Sequence, residues 1–226
     1  MKTIIKVILT LSAGIILPFT ALAVSDSNNT AILQTSIRKA SPITILNPHG
    51  NIDSLLQYFQ YTTQLLQNNI SGLSEAQLQF SPGEGKWSIS QCLEHIIRSE
   101  KMLFDMAQKE LAKTAQPQRK NEVKTTDQDL ITMMTDRSQK FQAPKELQPT
   151  GKYNNSSIAM SDFTAAREPV VQYIKRANLD DLRNHISEYP TGIVDGYQNL
   201  LFIAAHCARH IKQIEEVKKN PNFPKK

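Results

Sequence analysis

The chain has 226 residues, 40% of them hydrophobic and 21% charged, with a formal charge of +5. That balance excludes collagen-like, low-complexity and heptad-rod proteins, and the length suits one ordinary domain with a tail or two rather than two full domains. The positive excess is scattered. Its one cluster, Lys218, Lys219, Lys225 and Lys226, has no interleaved aromatics, so a solvated basic tail at 220–226 is expected and nucleic-acid binding is not.

Residues 1–23 read as a secretory signal peptide: Lys2 and Lys6 flank a short basic start, Val7 to Leu17 is apolar, and Ala21 and Ala23 are small residues at the expected cleavage positions. The apolar run falls short of the roughly 20 residues a membrane span requires, and Pro18 interrupts it. Cleavage after Ala23 leaves no stable membrane insertion and predicts a secreted or periplasmic protein. No cysteine follows the run, so a lipid anchor has no attachment point. Residues 24–49, rich in Ser, Asn and Thr and without sustained periodicity, read as a flexible linker.

From residue 50 onward the pattern is helical. Asp53 precedes Leu55, Leu56, Phe59, Leu66 and Ile70 at three-and-four spacing, the mark of an amphipathic helix. Ser74 and Gln77 form a capping box for a short helical turn that "SPGEG" ends, and Ser88 with Gln91 forms a second box opening a helix to about Leu111. A lysine-rich connection leads to a shorter helical segment with Leu130, Met133, Met134 and Phe141, and Ala143 to Ala159 reads as loop. Ser161 and Asp162 open a third long helix, which Pro169 should kink or restart. "YPTGIVDG" reads as a turn region, after which Asp195 and Gln198 start a fourth helix ending near Lys219. With no strand-like alternation to compete, the expected fold is all-α, an up-and-down four-helix bundle over 50–219.

Two of the five histidines, His206 and His210, lie four residues apart on the fourth helix and so share a face. On a helical wheel with Ile203 at zero, Leu200, Cys207, Ile211, Ile214 and Val217 spread from roughly −40° to 80°, while His210 falls near −20° and His206 near −60°. Both rings can therefore reach one point at the edge of the apolar stripe. A catalytic zinc-type site uses three protein ligands and one open position. His95 on the second long helix is the candidate third donor, since His49 and His185 fall in loop surroundings. Its phase is about 120° from the main stripe of that helix, beside Met102 and Met106, which implies a helix apolar on two sides. Spacing leaves two readings open: three-histidine coordination, or hydrogen-bonded and surface histidines. Cys92 and Cys207 lie on apolar faces and read as buried free thiols, although an oxidising compartment would permit a bridge.

"GKWSISQCLEHIIRSE" together with "LLFIAAHCARHIKQIEE" resembles the DinB-like superfamily of four-helix metal-binding bundles, over about residues 50–219. The resemblance implies that His95, His206 and His210 bind one divalent ion, zinc or nickel first, manganese or iron after them, with Trp87 and Ser88 as structural residues at the helix start. It further implies a metal-dependent hydrolase or transferase acting on a small molecule, or else a non-catalytic metal- or partner-binding bundle, with a homodimer as an additional expectation. An export signal is at odds with a cytosolic thiol cofactor. Cys207 stands where an HExxH helix carries its glutamate, so the peptidase motif is not met. No carboxylate declares itself as a base: Glu94 points about 100° away from His95, and Glu100 lies on the apolar stripe, read either as a buried carboxylate supporting the histidines or as simply out of phase. Arg209 is read either as an anion-binding group or as a solvated or salt-bridged one.

Overall fold

The computed structural model describes residues 50–225. The signal peptide, the linker and His49 lie outside the described residues. Four long helices dominate: α1 (Ile52–Ile70), α3 (Ile89–Leu111), α5 (Ser156–Arg176) and α7 (Gly196–Lys218). Shorter helices are α2 (Glu75–Gln79), α4 (Asp127–Thr135) and α6 (Leu179–Asn184), with 3₁₀ turns at Pro117–Glu122 and Lys145–Leu147. No helix among the described residues is long and apolar enough to cross a membrane.

The helix starts are set by local chemistry. In each of the three capping boxes expected from sequence, Ser74/Gln77, Ser88/Gln91 and Asp195/Gln198, the cap side chain accepts from the third helical amide and the Gln side chain answers to the cap amide. Asn51 and Ser54 make a fourth. The third long helix begins earlier than Ser161, because the Asn155 side chain accepts from the Ser157 and Ile158 amides and so caps it at Ser156. Pro169 neither restarts nor ends that helix and sits within it. Phe141 lies beyond α4, which stops at Thr135.

Two expectations of topology are corrected. The turn region "YPTGIVDG" contributes to a small antiparallel hairpin, β1 (Ile186–Tyr189) and β2 (Gly192–Asp195), with Tyr189 opposite Gly192 across a two-residue turn. The bundle also departs from up-and-down order. Contacts run from α1 to α5, α5 to α3, α3 to α7 and α7 back to α1, so α1 faces α3 across the core, and α5 faces α7. Long connections, carrying α2 in one case and α6 with the hairpin in the other, allow successive long helices to sit diagonally; short loops would force them side by side.

The tail is anchored at Phe223 and Pro224, while Pro221, Asn222 and Lys225 are exposed. Phe223 packs edge-on against Phe80 at 5.6 Å, and Gln77 donates to the Pro224 carbonyl at 2.9 Å. Lys218 donates to the Asn69 carbonyl at the end of α1.

The core has two apolar parts, one around Leu55, Phe59, Leu103 and Leu201, the other around Leu66, Leu93, Phe163 and Ile211. Cys92 and Cys207 are buried and unbridged, and both belong to the second part. Where the two parts meet, α3, α5 and α7 carry buried polar residues: His95, Glu100, Arg167, His206 and His210.

Candidate metal centre

The packing of α3 against α7 brings the three histidines together. His206 and His210, one turn apart on α7, have ring centroids 5.3 Å apart, and the His95 ring on α3 lies 5.9 Å and 5.7 Å from them. One ligand atom from each ring lies within 4.8 Å of the others. An equilateral set at that limit places each nitrogen about 2.8 Å from a common centre, about 0.7 Å beyond a metal–imidazole bond, a gap that small ring rotations close. The reading of these histidines as surface residues, or as residues far from one another, does not hold, since they lie together in the core.

Dehydration is nearly complete, since the three side chains are at most 1% exposed. Burial above all pushes His95 down to about 3 and holds His206 and His210 well below the ordinary imidazole value, the neighbouring rings adding to the effect on the last two. All three are thus neutral at pH 7 and present lone pairs. His95 Nδ1 lies 2.6 Å from the Leu147 carbonyl, so the proton belongs on Nδ1 and the free lone pair on Nε2. That Nε2, His206 Nε2 and both nitrogens of His210 have no hydrogen-bond partner. Buried polar atoms are ordinarily paired, and a cation shared between the rings would take one orphaned nitrogen from each, three of the four, leaving the second nitrogen of His210.

The surrounding shell is aromatic. Trp87, placed by the capped start of α3, lies 4.8 Å from the His95 ring and 6.4 Å from His210. Phe202, one turn before His206, stacks on that ring at 6.0 Å with the planes 15° apart.

A strap over residues 136–155 covers the centre, and its backbone is fastened from both helices. Glu94 accepts from the amides of Thr150 and Gly151, both at 2.8 Å, and of Lys152 at 3.3 Å. Burial acts to raise the Glu94 carboxyl, but the bonds from Gly151 and Thr150 outweigh it and hold the group below the usual carboxylate range. Arg98 donates to the carbonyls of Gln148 and Glu146, and Ser90 accepts from the Tyr153 amide. Arg209, 2% exposed, donates to the carbonyls of Met134, Asp136 and Gln139. Its guanidinium fastens backbone, a role beyond the anion-binding, solvated or salt-bridged ones expected from sequence.

Glu100 is not a partner of the histidines; its carboxylate pairs with Arg167. His185 bridges the Asp181 carbonyl at 2.8 Å and the Lys113 carbonyl at 3.0 Å, tying α6 to the end of α3. Sequence reasoning missed the strap and the orienting carbonyl of Leu147. A main-chain oxygen has no residue signature, but the Glu94/Arg98 spacing, a pair at i and i+4, marks the face of α3 on which the strap sits.

A four-helix bundle with three neutral, dehydrated imidazoles converging between two of its long helices defines a class of potential metal-binding proteins. The sequence profile of the DinB superfamily matches residues 58–214, and the chain belongs to that superfamily. It is 26% identical over 155 residues to the uncharacterized protein YuaE of Bacillus subtilis (strain 168), a match covering 67% of this chain and 89% of YuaE. Among solved structures it resembles YfiT from Bacillus subtilis, described as a probable metal-dependent hydrolase with an unusual four-helix bundle topology. The TM-score is 0.53 at 12% identity, over 95% of this chain and 99% of YfiT, a likeness of fold.

Proposed function

We propose that His95, His206 and His210 hold one divalent ion and that the protein is a metal-dependent hydrolase, with transferase as the second form of the same chemistry, acting on a small molecule. The observation that carries this reading is the set of orphaned imidazole nitrogens, dehydrated and clustered so that one from each ring lies within 4.8 Å of the others. The description of YfiT, a structural neighbour, supports the hydrolase form. Zinc or nickel suits three imidazoles best, with manganese or iron after them.

An ion so held supplies a Lewis acid that activates water and polarises a carbonyl or phosphoryl oxygen. The chain's own contributions are separate from this. Burial keeps the rings unprotonated, the Leu147 carbonyl fixes the His95 tautomer, and Trp87 and Phe202 restrict ring movement. Glu94 and Glu100 are engaged by the strap and by Arg167, so neither is assigned as a base.

A specific observation favours a second reading, a non-catalytic metal-binding bundle. Two cavities border the centre, of about 1010 Å³ and 240 Å³, and neither is lined by any of the three histidines. The hydrolase reading therefore requires the strap or Phe202 to move for substrate to reach the centre. Export of the mature chain from residue 24 and formation of a homodimer complete the proposal; the signal-like start supports the first, and the resemblance to the family supports the second.

Metal analysis of protein purified without nickel resin tests the common premise. One ion per chain is expected, lost in His95→Ala and in His210→Ala. Unchanged metal content in both variants overturns the site, and a metal-loaded protein inert toward esters, amides and phosphoesters leaves the binding-bundle reading.

A further inference from the structure

The smaller cavity lies against the histidine cluster and has a distinct chemistry. Its volume is about 240 Å³, larger than the roughly 150 Å³ cavity that takes a benzene ring. Five elements build it: α3 gives Leu103 and Met106, α4 gives Met133 and Met134, the strap gives Phe141, α7 gives Phe202, and the hairpin gives the fifth side. The hairpin closes the floor with Val194. Met133, 60% exposed, and Phe141, 41% exposed, stand at the rim. Unbranched thioethers on two sides allow the walls to adapt to shape.

The amide, phenol and guanidinium groups in the lining already have partners, and the hydroxyls of Thr125 and Thr191 are its remaining polar side-chain groups. Gln198 donates to the Thr125 carbonyl at 2.7 Å, Asn199 donates to Ser187 Oγ at 2.9 Å, and Tyr189 donates to Asn199 at 3.0 Å. Arg209 directs its guanidinium at strap carbonyls. An occupant carrying a charge or several donors would lose hydration there without replacement. An occupant of about ten apolar heavy atoms would bury its surface at no such cost.

We propose that this cavity binds a neutral aryl or short branched alkyl group, and that Phe202 is the partition between that group and His206. Phe202 lines the cavity and stacks on the His206 ring, so a ligand seated here has its far end one ring thickness from the His206 imidazole. As the apolar moiety of a substrate it rests on the metal-site reading; as a ligand pocket it stands alone.

Indole is a suitable neutral probe, and indole-5-carboxylate carries a charge into the same shape. Binding is measured on metal-stripped protein and on His206→Ala, so that failure of the metal site does not register as failure of the pocket. Indole is expected to bind both, at least tenfold more tightly than its carboxylate, and Val194→Phe is expected to weaken it at least tenfold with metal content unchanged. In the unsubstituted protein, methionine methyl resonances report without any variant: Met106, Met133 and Met134 should shift on adding indole, and Met102 and Met160 should not. Equal affinity for the charged analogue, binding indifferent to Val194→Phe, or shifts absent from the three lining methionines would each overturn the proposal.

Discussion

Two buried polar clusters share α3 and differ in completeness. On the α5 side, Arg167 donates to Glu100 through Nε at 3.1 Å and through Nη2, and its Nη1 reaches the Phe59 carbonyl and the hydroxyls of Thr62 and Thr63. The rings of Phe59 and Phe163 lie 4.7 Å and 4.8 Å from the guanidinium. On the α7 side, four imidazole nitrogens have no partner at all. The first cluster is closed by its own charges and hydrogen bonds; the second is closed only by something the polypeptide does not provide. Equal burial with unequal satisfaction separates a structural polar cluster from a binding one.

The comparison breaks most visibly at Arg167. Arg167→Ala strands a carboxylate inside the bundle and should cost about 3–5 kcal/mol in denaturant unfolding, with metal content unchanged if the variant remains folded. Acid should separate the clusters next. In the unfolded chain imidazoles take up protons below about 6.5, whereas folded His95 resists until about 3. Between those values the unfolded state binds more protons, so the metal-free protein is most stable above about 6.5 and loses stability as pH falls toward 3. Urea midpoints across that window should decline, and His95→Leu should flatten the decline.

A smaller effect has the opposite sign. His210→Leu removes two unpaired buried nitrogens and should stabilise the metal-free fold by about 1 kcal/mol, while abolishing the stabilisation that added metal gives the unsubstituted protein. Thermal unfolding with and without metal checks both halves. Glu94→Gln should have the smallest global effect, below about 1 kcal/mol, because a neutral oxygen accepts the strap amides more weakly. Faster amide exchange at Thr150, Gly151 and Lys152 is its local signature, and unaltered exchange there would remove Glu94 from its fastening role.

What could be read in advance follows from the range of each interaction. The boxes at Ser74, Ser88 and Asp195 were legible because cap and partner lie three residues apart. The bounds of α3 and α7 followed from them, and His206 with His210 followed from helical pitch. His95 looked out of phase because its helix packs against both α5 and α7, so one wheel carries two inward faces. The diagonal order of the long helices was not legible, since it depends on where long connections cross. Nor was the start of α5, where Asn155 caps a segment that opens with Ser156 and Ser157 before its apolar period is established.

Trp87 is the chain's single tryptophan, and its indole sits against His95 and His210 on one side while lining the larger cleft on the other. Intrinsic fluorescence of this protein therefore comes from one address. Emission intensity and wavelength should record loading of the histidines, their acidification and entry of solute into the cleft, giving an unlabelled optical gauge of the site in ordinary buffer.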